Sequence, residues 1–221
     1  MRSLYVFALV GQAATPFSAA GHRIEFIEVE GVYAAVERIR RAPAVSEGAL
    51  RAQHQVVAQI AERQAAVLPV RFGALVDAGE LGGVVSQRRE AIRDALALVR
   101  GRRQMTARLR AMDMASPTPV GPASHAAVTG TGYMESRRAA AAPPMPAAMA
   151  GFATAVRTWV VAARTEGSRG RVLATIYHLV DGADVEAYMA AAVQVQREMN
   201  DGVVTVSGPW APFAFAPDLW P

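Results

Sequence analysis

The sequence predicts an α+β protein of two small sheet-plus-helix domains, expected as ferredoxin-like variants, ending in an aromatic and proline-rich C-terminal tail. Three observations predict it. Leu4–Val10 is apolar on both alternating faces, as in a central strand covered on both sides. Stretches with apolar residues every three to four positions follow short β-branched runs, the mark of helices packing on a sheet. The second half reads helix, strand, helix, strand, and 52% hydrophobic content over 221 residues is enough to bury a core.

Leu4–Val10 lies behind Arg2, but seven residues is the lower limit of a signal-peptide core, and the alternation suits a first strand. Gly11–Gly21, with Pro16 and small residues, reads as a loop. Ile24–Val29 and Val32–Ile39 flank Gly31 and are read as two strands of a hairpin, although Val32, Val36 and Ile39 also fit a helical spacing. Pro43 ends that unit. Ser46 is a suitable N-cap with Glu47 in the first turn, and Leu50, His54, Val57, Ile60 and Gln64 form the apolar stripe of the helix that follows. His54 on that stripe is expected to be a hydrogen-bonded core residue, because no second ligand stands at a metal-binding spacing.

Ala65–Val76 is the most informative stretch, an apolar run interrupted only by Pro69, Arg71 and Gly73. It reads as a buried strand that Pro69 confines to an edge or a bulge. Arg71 is its one charge, and inside a core it needs a partner, either as a structural ion pair or as a binding group. Asp77–Gly83 reads as a glycine-containing turn into a helix over Val84–Arg100, with Leu81, Val85, Ile92, Leu96 and Val99 on one face and Gly101 at its close. Met105, Ala107, Leu109 and Ala111 alternate with Thr106, Arg108 and Arg110, a half-exposed strand with an arginine-bearing outer face.

Residues 113–149 hold six of the thirteen prolines and are read as an irregular connection around a short helical piece near Tyr133–Ala142. The chain is accordingly divided into 1–112, 113–149 and 150–221. Ala139–Val156 carries no charge, yet its alanines and Pro143, Pro144 and Pro146 argue against a membrane span. Phe152, Val156, Trp159, Val160 and Ala163 read as one helix broken at Gly167–Gly170. Val172–Val180 is a strand on which His178 is expected to be a satisfied structural residue. Asp184 caps a helix bearing Val185, Tyr188, Ala192, Val195 and Met199; Asn200–Gly202 ends it, and Val203–Ser207 is the last strand. Gly208–Pro221, with two tryptophans, two phenylalanines and four prolines, is too proline-rich for a sheet interior and must lie across something. Trp210, Phe213 and Phe215 either fold back on the protein's own core or dock an apolar partner.

Zero cysteines exclude disulfides, thiolate metal sites and cysteine nucleophiles, and fit a reducing cytoplasm. All 23 basic residues are arginine, for a net charge of +4. They are scattered and lack a stacking-aromatic pattern, so nucleic-acid binding is not expected. G-x-S-x-G, G-x-x-x-x-G-K and H-E-x-x-H are absent, and a chain without lysine has no Schiff-base or phosphate-clamping lysine. Nothing in the sequence marks an enzyme, a cofactor or a metal site.

Val67–Gly73 resembles the V-L-P-x-R-F-G signature of the gas vesicle protein F and L family. Thr129–Arg138 resembles the family's S-G-x-x-Y-L-x-x-R-R segment, and Ser207–Phe215 its closing G-P-W-P-P-Y-S-F. The order and spacing of the three cover most of the chain. Phe213 replaces the family's tyrosine, Ala211 and Ala214 its proline and serine, and Pro143-Pro144-Met145-Pro146 interrupts an expected longer helix. The resemblance implies a non-catalytic accessory protein of gas vesicle formation, cytoplasmic or vesicle-associated. It would bind the small hydrophobic shell protein, and other accessory proteins, through Arg71, Phe72, Trp210, Phe213 and Phe215. The rival reading is a small-molecule-binding or catalytic α+β domain with an inter-domain pocket.

Overall fold

The computed structural model describes residues 3–110, 145–167, 171–199 and 204–219. The helical piece expected near Tyr133–Ala142 and most of the 113–149 connection lie outside the described residues. Within them are two antiparallel sheets. The first contains β1 (Ser3–Val10), β2 (Phe17–Ala19), β3 (His22–Val29), β4 (Val32–Ile39), β5 (Val67–Pro69) and β6 (Leu75–Val76). Its order is β2-β3-β4-β1-β5, with β6 also paired to β1.

Burial on both sides makes β1 the centre of this sheet, as its composition predicts. Its register against β4 shifts between Val6 and Ala8, the effect of a bulge that inserts one residue. Tyr5, Phe7, Ala8 and Val10 therefore face one core, and Leu4, Val6 and Leu9 the other. The first core is closed by α1 (Glu47–Arg63) through Val56, Val57, Ile60 and Ala61, and Ser46 caps that helix by accepting from Ala49 N–H at 3.1 Å. The second is closed by α2 (Ala78–Gln87) and α3 (Arg89–Val99), whose Leu81, Val85, Ile92, Leu96 and Val99 form the predicted face. Helices thus cover both faces of this sheet.

Several expectations are corrected. Gly79, Gly82 and Gly83 lie in α2, because Asp77 Oδ1 accepts from Glu80 N–H at 2.8 Å and Leu81 and Val85 bury. That cap and burial outweigh a glycine penalty of about 1 kcal/mol per residue. The expected loop Gly11–Gly21 contains β2, which pairs with β3 through Phe17 opposite Ile24.

The second sheet contains β7 (Arg102–Arg110), β8 (Val160–Glu166), β9 (Val172–Asp181) and β10 (Val204–Trp210) in the order β10-β7-β9-β8. With α4 (Ala147–Val156) and α5 (Val185–Glu198) on one face, the described elements follow the β-α-β-β-α-β succession of a ferredoxin-like unit. β7 precedes the boundary drawn at residue 112, yet all its pairing is within this sheet. Its outer face is less wet than its alternation suggests, since Gln104 and Thr106 are buried, Gln104 accepting from the tail's Ala214 N–H and donating to the Thr106 hydroxyl.

Val160 and Ala163 are in a strand, not a helix: α4 stops at Val156, a 3-10 turn at Arg157–Trp159 follows, and β8 pairs with β9. Adjacent β-branched residues at 160 and 161 favour that outcome. β10 continues beyond Ser207 through Gly208-Pro209 to Trp210, with a register shift between Ser207 and Trp210, which is where an edge strand tolerates proline. Asp184 occupies the N-cap position of α5 without a capping hydrogen bond. The sheets share one core, in which Leu4, Leu9 and Leu68 meet Leu179, Phe215 and Leu219.

Candidate functional site

The apolar run around Arg71 is two short strands joined by a projecting loop. β5 stops at Pro69 and β6 resumes at Leu75, with Val70 N–H donating to the Phe7 carbonyl and Val6 N–H to the Ala74 carbonyl, both at 2.9 Å. Gly73 has φ +94°, a left-handed conformation that side chains disfavour. A polar network, buried at Tyr5 and Gln53, fixes the loop: Gln53 Nε2 donates to the Val70 carbonyl at 3.0 Å, Gly73 N–H to the Tyr5 hydroxyl at 3.2 Å, and that hydroxyl to Gln53 Oε1. Burial raises the Tyr5 pKa against the opposing pull of the Gly73 N–H, so the phenol stays protonated as a donor. Tyr5→Phe is expected to cost about 1–3 kcal/mol by leaving the buried Gln53 amide oxygen without its donor, read as a lower urea midpoint at unchanged m-value.

This geometry corrects two readings. Arg71 is outside the core, its side chain 80% exposed and ion-paired with Asp218 at 3.0 Å. His54 is exposed, because Gln53 takes the inward position where it meets Val70 and Tyr5; the α1 stripe is rotated accordingly to Gln53, Val56, Val57 and Ile60. Phe72 is half-buried, its ring edge-on to Tyr5 at 6.3 Å.

The tail divides its aromatics between two tasks. Phe215, in a 3-10 turn at Phe213–Phe215, is 2% exposed and sits in the shared core. Around it Ala214 N–H donates to Gln104 Oε1 at 2.8 Å, and Arg164 Nη1 donates to the Ala214 carbonyl at 2.7 Å with its guanidinium 5.6 Å from the Phe215 ring centre. Trp210 and Phe213 stay 38% and 37% exposed. They flank His54, whose ring stacks on Phe213 at 5.8 Å and meets Trp210 edge-on at 5.2 Å. With exposed Leu50 one helical turn before His54, they form an apolar strip on the surface.

Between the Pro69–Ala74 loop, the tail and β8–β9 lies a cleft of about 760 Å³. Every charged side chain lining it is partnered: Arg71 with Asp218, Arg164 with the Ala214 carbonyl, and Glu166 with the Tyr177 hydroxyl, which donates at 2.9 Å.

A model of the gas vesicle synthesis protein GvpL/GvpF family matches residues 3–217. The chain belongs to that family. Membership ties it to gas vesicle formation. Two crystal structures share the fold. GvpF from Microcystis aeruginosa, 10% identical, has a TM-score of 0.74 over 98% of this chain and 100% of its own. GvpF from Anabaena sp. PCC7120, 13% identical, has a TM-score of 0.72 over 98% and 97%. No curated protein matches the sequence.

In this GvpL/GvpF family member the cleft gathers Arg71, Phe72 and Phe213 on one lining, although 142 positions separate Arg71 from Phe213. Trp210 stays outside it beside His54, and Phe215 lies beneath it. Arg164, Glu166 and Tyr177 were not singled out by the sequence, because residues 160–166 read as helix and no motif marks them. His178 is buried on the opposite face of β9, stacked on Phe152, with Nδ1 2.8 Å from the Tyr188 hydroxyl; burial lowers its pKa to about 4. It serves as the structural histidine expected. Among the described residues no cluster of three His, Cys, Asp or Glu side chains is arranged to hold a metal, and no helix is long and apolar enough to cross a membrane.

Proposed function

We propose that this GvpL/GvpF protein acts without catalysis as an assembly factor, in the cytoplasm and on the vesicle, by binding the small hydrophobic shell protein of gas vesicles. The observation that carries the proposal is the exposed strip of Leu50, His54, Trp210 and Phe213 at the rim of the cleft. A shell subunit with a large apolar face aggregates in water, and a rigid aromatic strip on a folded scaffold offers it a complementary surface. Aromatic anchors dominate the energetics of such contacts, while the exposed Arg71–Asp218 pair orients the rim and adds little to stability. Contacts with other accessory proteins of the same assembly belong to this proposal.

The test is capture of the shell protein by the immobilised chain. Trp210→Ala is expected to weaken capture by about 2 kcal/mol, roughly thirty-fold. Arg71→Ala is expected to weaken it less and to change folding stability by under about 1 kcal/mol. Undiminished capture by both variants removes these positions from the contact.

The cleft volume of about 760 Å³ is also that of a small-molecule site. That second reading predicts a metabolite that raises the melting temperature and is blocked by enlarging Ala74. The assembly reading is preferred because Arg71 and Asp218 at the cleft are exposed and paired with each other, and the titration-shifted histidine lies behind the sheet.

A further inference from the structure

We propose that the partner segment entering the cleft is held as an extended strand added to the free edge of β8, and that this segment is uncharged and apolar. The inference rests on the assembly reading and specifies how the partner is held.

The four sheet edges formed by the described strands are not alike. In the first sheet the outer strands are β2, of three residues, which leaves Glu25–Val29 of β3 without a described partner on that side, and β5, of three residues ending in Pro69, followed by β6, of two. In the second, β10 carries Pro209 and a register shift. Shortness, proline and irregularity are the devices that protect an edge from pairing with another chain. β8 has none of them over most of its length: Val160–Glu166 is seven residues without proline or glycine, its one register shift lies at its start, and no described strand pairs on its outer side. Val161 on this strand is 43% exposed.

The second observation places that edge in the cleft. Arg164, Thr165 and Glu166 all contribute to the lining. Side chains of successive strand residues point to opposite faces, so a wall made by three in a row is made partly of their backbone edge. An incoming strand would find there N–H and C=O groups that no described strand pairs, over roughly 20 Å of edge, and its alternate side chains would point toward Phe72 and Phe213 across the cleft.

Charge selects the occupant. Because Arg71 and Arg164 are balanced on the lining by Glu166 and Asp218, the cleft favours neither sign of charge, whereas Phe72 and Phe213 offer apolar contact to an uncharged segment.

The test is amide hydrogen exchange on the full chain, alone, with the shell protein, and with a capped octapeptide of alternating valine and threonine. The double variant Val161→Lys, Thr165→Lys, at two exposed positions, is run alongside, with circular dichroism confirming its fold. Strand addition predicts at least ten-fold slower exchange at the β8 amides that point away from β9, and at least ten-fold weaker capture by the double variant. Shell capture that Trp210→Ala weakens, with β8 exchange unchanged and the double variant within two-fold, overturns the strand addition and leaves the assembly reading standing. Protection of β8 by the octapeptide without any capture of the shell protein supports the edge site and refutes the assembly reading. Protection that grows with protein concentration in the absence of any probe assigns the edge to a second copy and overturns the inference.

Discussion

Phe215→Ala lowers the unfolding free energy by about 3–5 kcal/mol, the largest effect expected of any single tail substitution. Phe215 is fully enclosed and belongs to the core shared by the two sheets, among Leu4 and Leu9 from one and Leu179 from the other. Truncation leaves a cavity that rigid strands on either side cannot close, and it removes the ring under Arg164. The neighbouring Phe213 is the control. Because it is partly exposed and stacks only on surface groups, Phe213→Ala costs under about 1 kcal/mol while weakening shell capture. Urea titrations of the two variants check the contrast; equal losses would mean that the tail does not hold the sheets together through Phe215.

Stability falls by about 3 kcal/mol as the pH drops from 6.5 to 4, and His178 is the source. In the unfolded chain its imidazole titrates near 6.5; in the fold, burial depresses the pKa to about 4. Above 6.5 both states are neutral and no penalty exists. Below it the unfolded state binds a proton that the folded state refuses, so unfolding gains until the pH reaches the folded value and the dependence levels off. The side chains packed on His178 are Phe152 and Tyr188, neither of which supplies a negative charge to offset the imidazolium. Urea midpoints between pH 4 and 8 measure the slope, and His178→Gln should remove this component while keeping a polar partner for the Tyr188 hydroxyl. An unchanged slope in the variant assigns the dependence elsewhere.

Much of the fold is legible in the chain because it is local. The all-apolar Leu4–Val10, the Ser46 cap, the Leu81-to-Val99 face and Gly101 with φ +70° each follow from spacing and backbone preference. Readings failed where burial or pairing by distant residues reversed a local preference. Gly79, Gly82 and Gly83 became helical because Asp77 caps them and Leu81 has a core to enter. Val160–Glu166 became a strand because β9 offered an edge to pair with. His54 and Gln53 are adjacent on one helix, and periodicity could not tell which of them turns inward. Tyr5 and Val70 decided it, the Tyr5 hydroxyl donating to the Gln53 amide oxygen and the Val70 carbonyl accepting from its nitrogen.

The candidate site divides along the same line. From sequence alone came the V-L-P-V-R-F-G run and the G-P-W-A-P-F-A-F tail as the distinctive segments, since glycine, proline and aromatics carry backbone and contact constraints that composition displays. Only the tertiary structure decided that the two meet, that Arg71 pairs with Asp218, that Phe215 is core while Trp210 and Phe213 are surface, and that Arg164, Glu166 and Tyr177 complete the wall. The reason is physical. Helix, turn and strand preferences act over a few neighbouring residues, whereas a cleft is made by side chains far apart in the chain, and its walls exist only after the two sheets have closed on a common core.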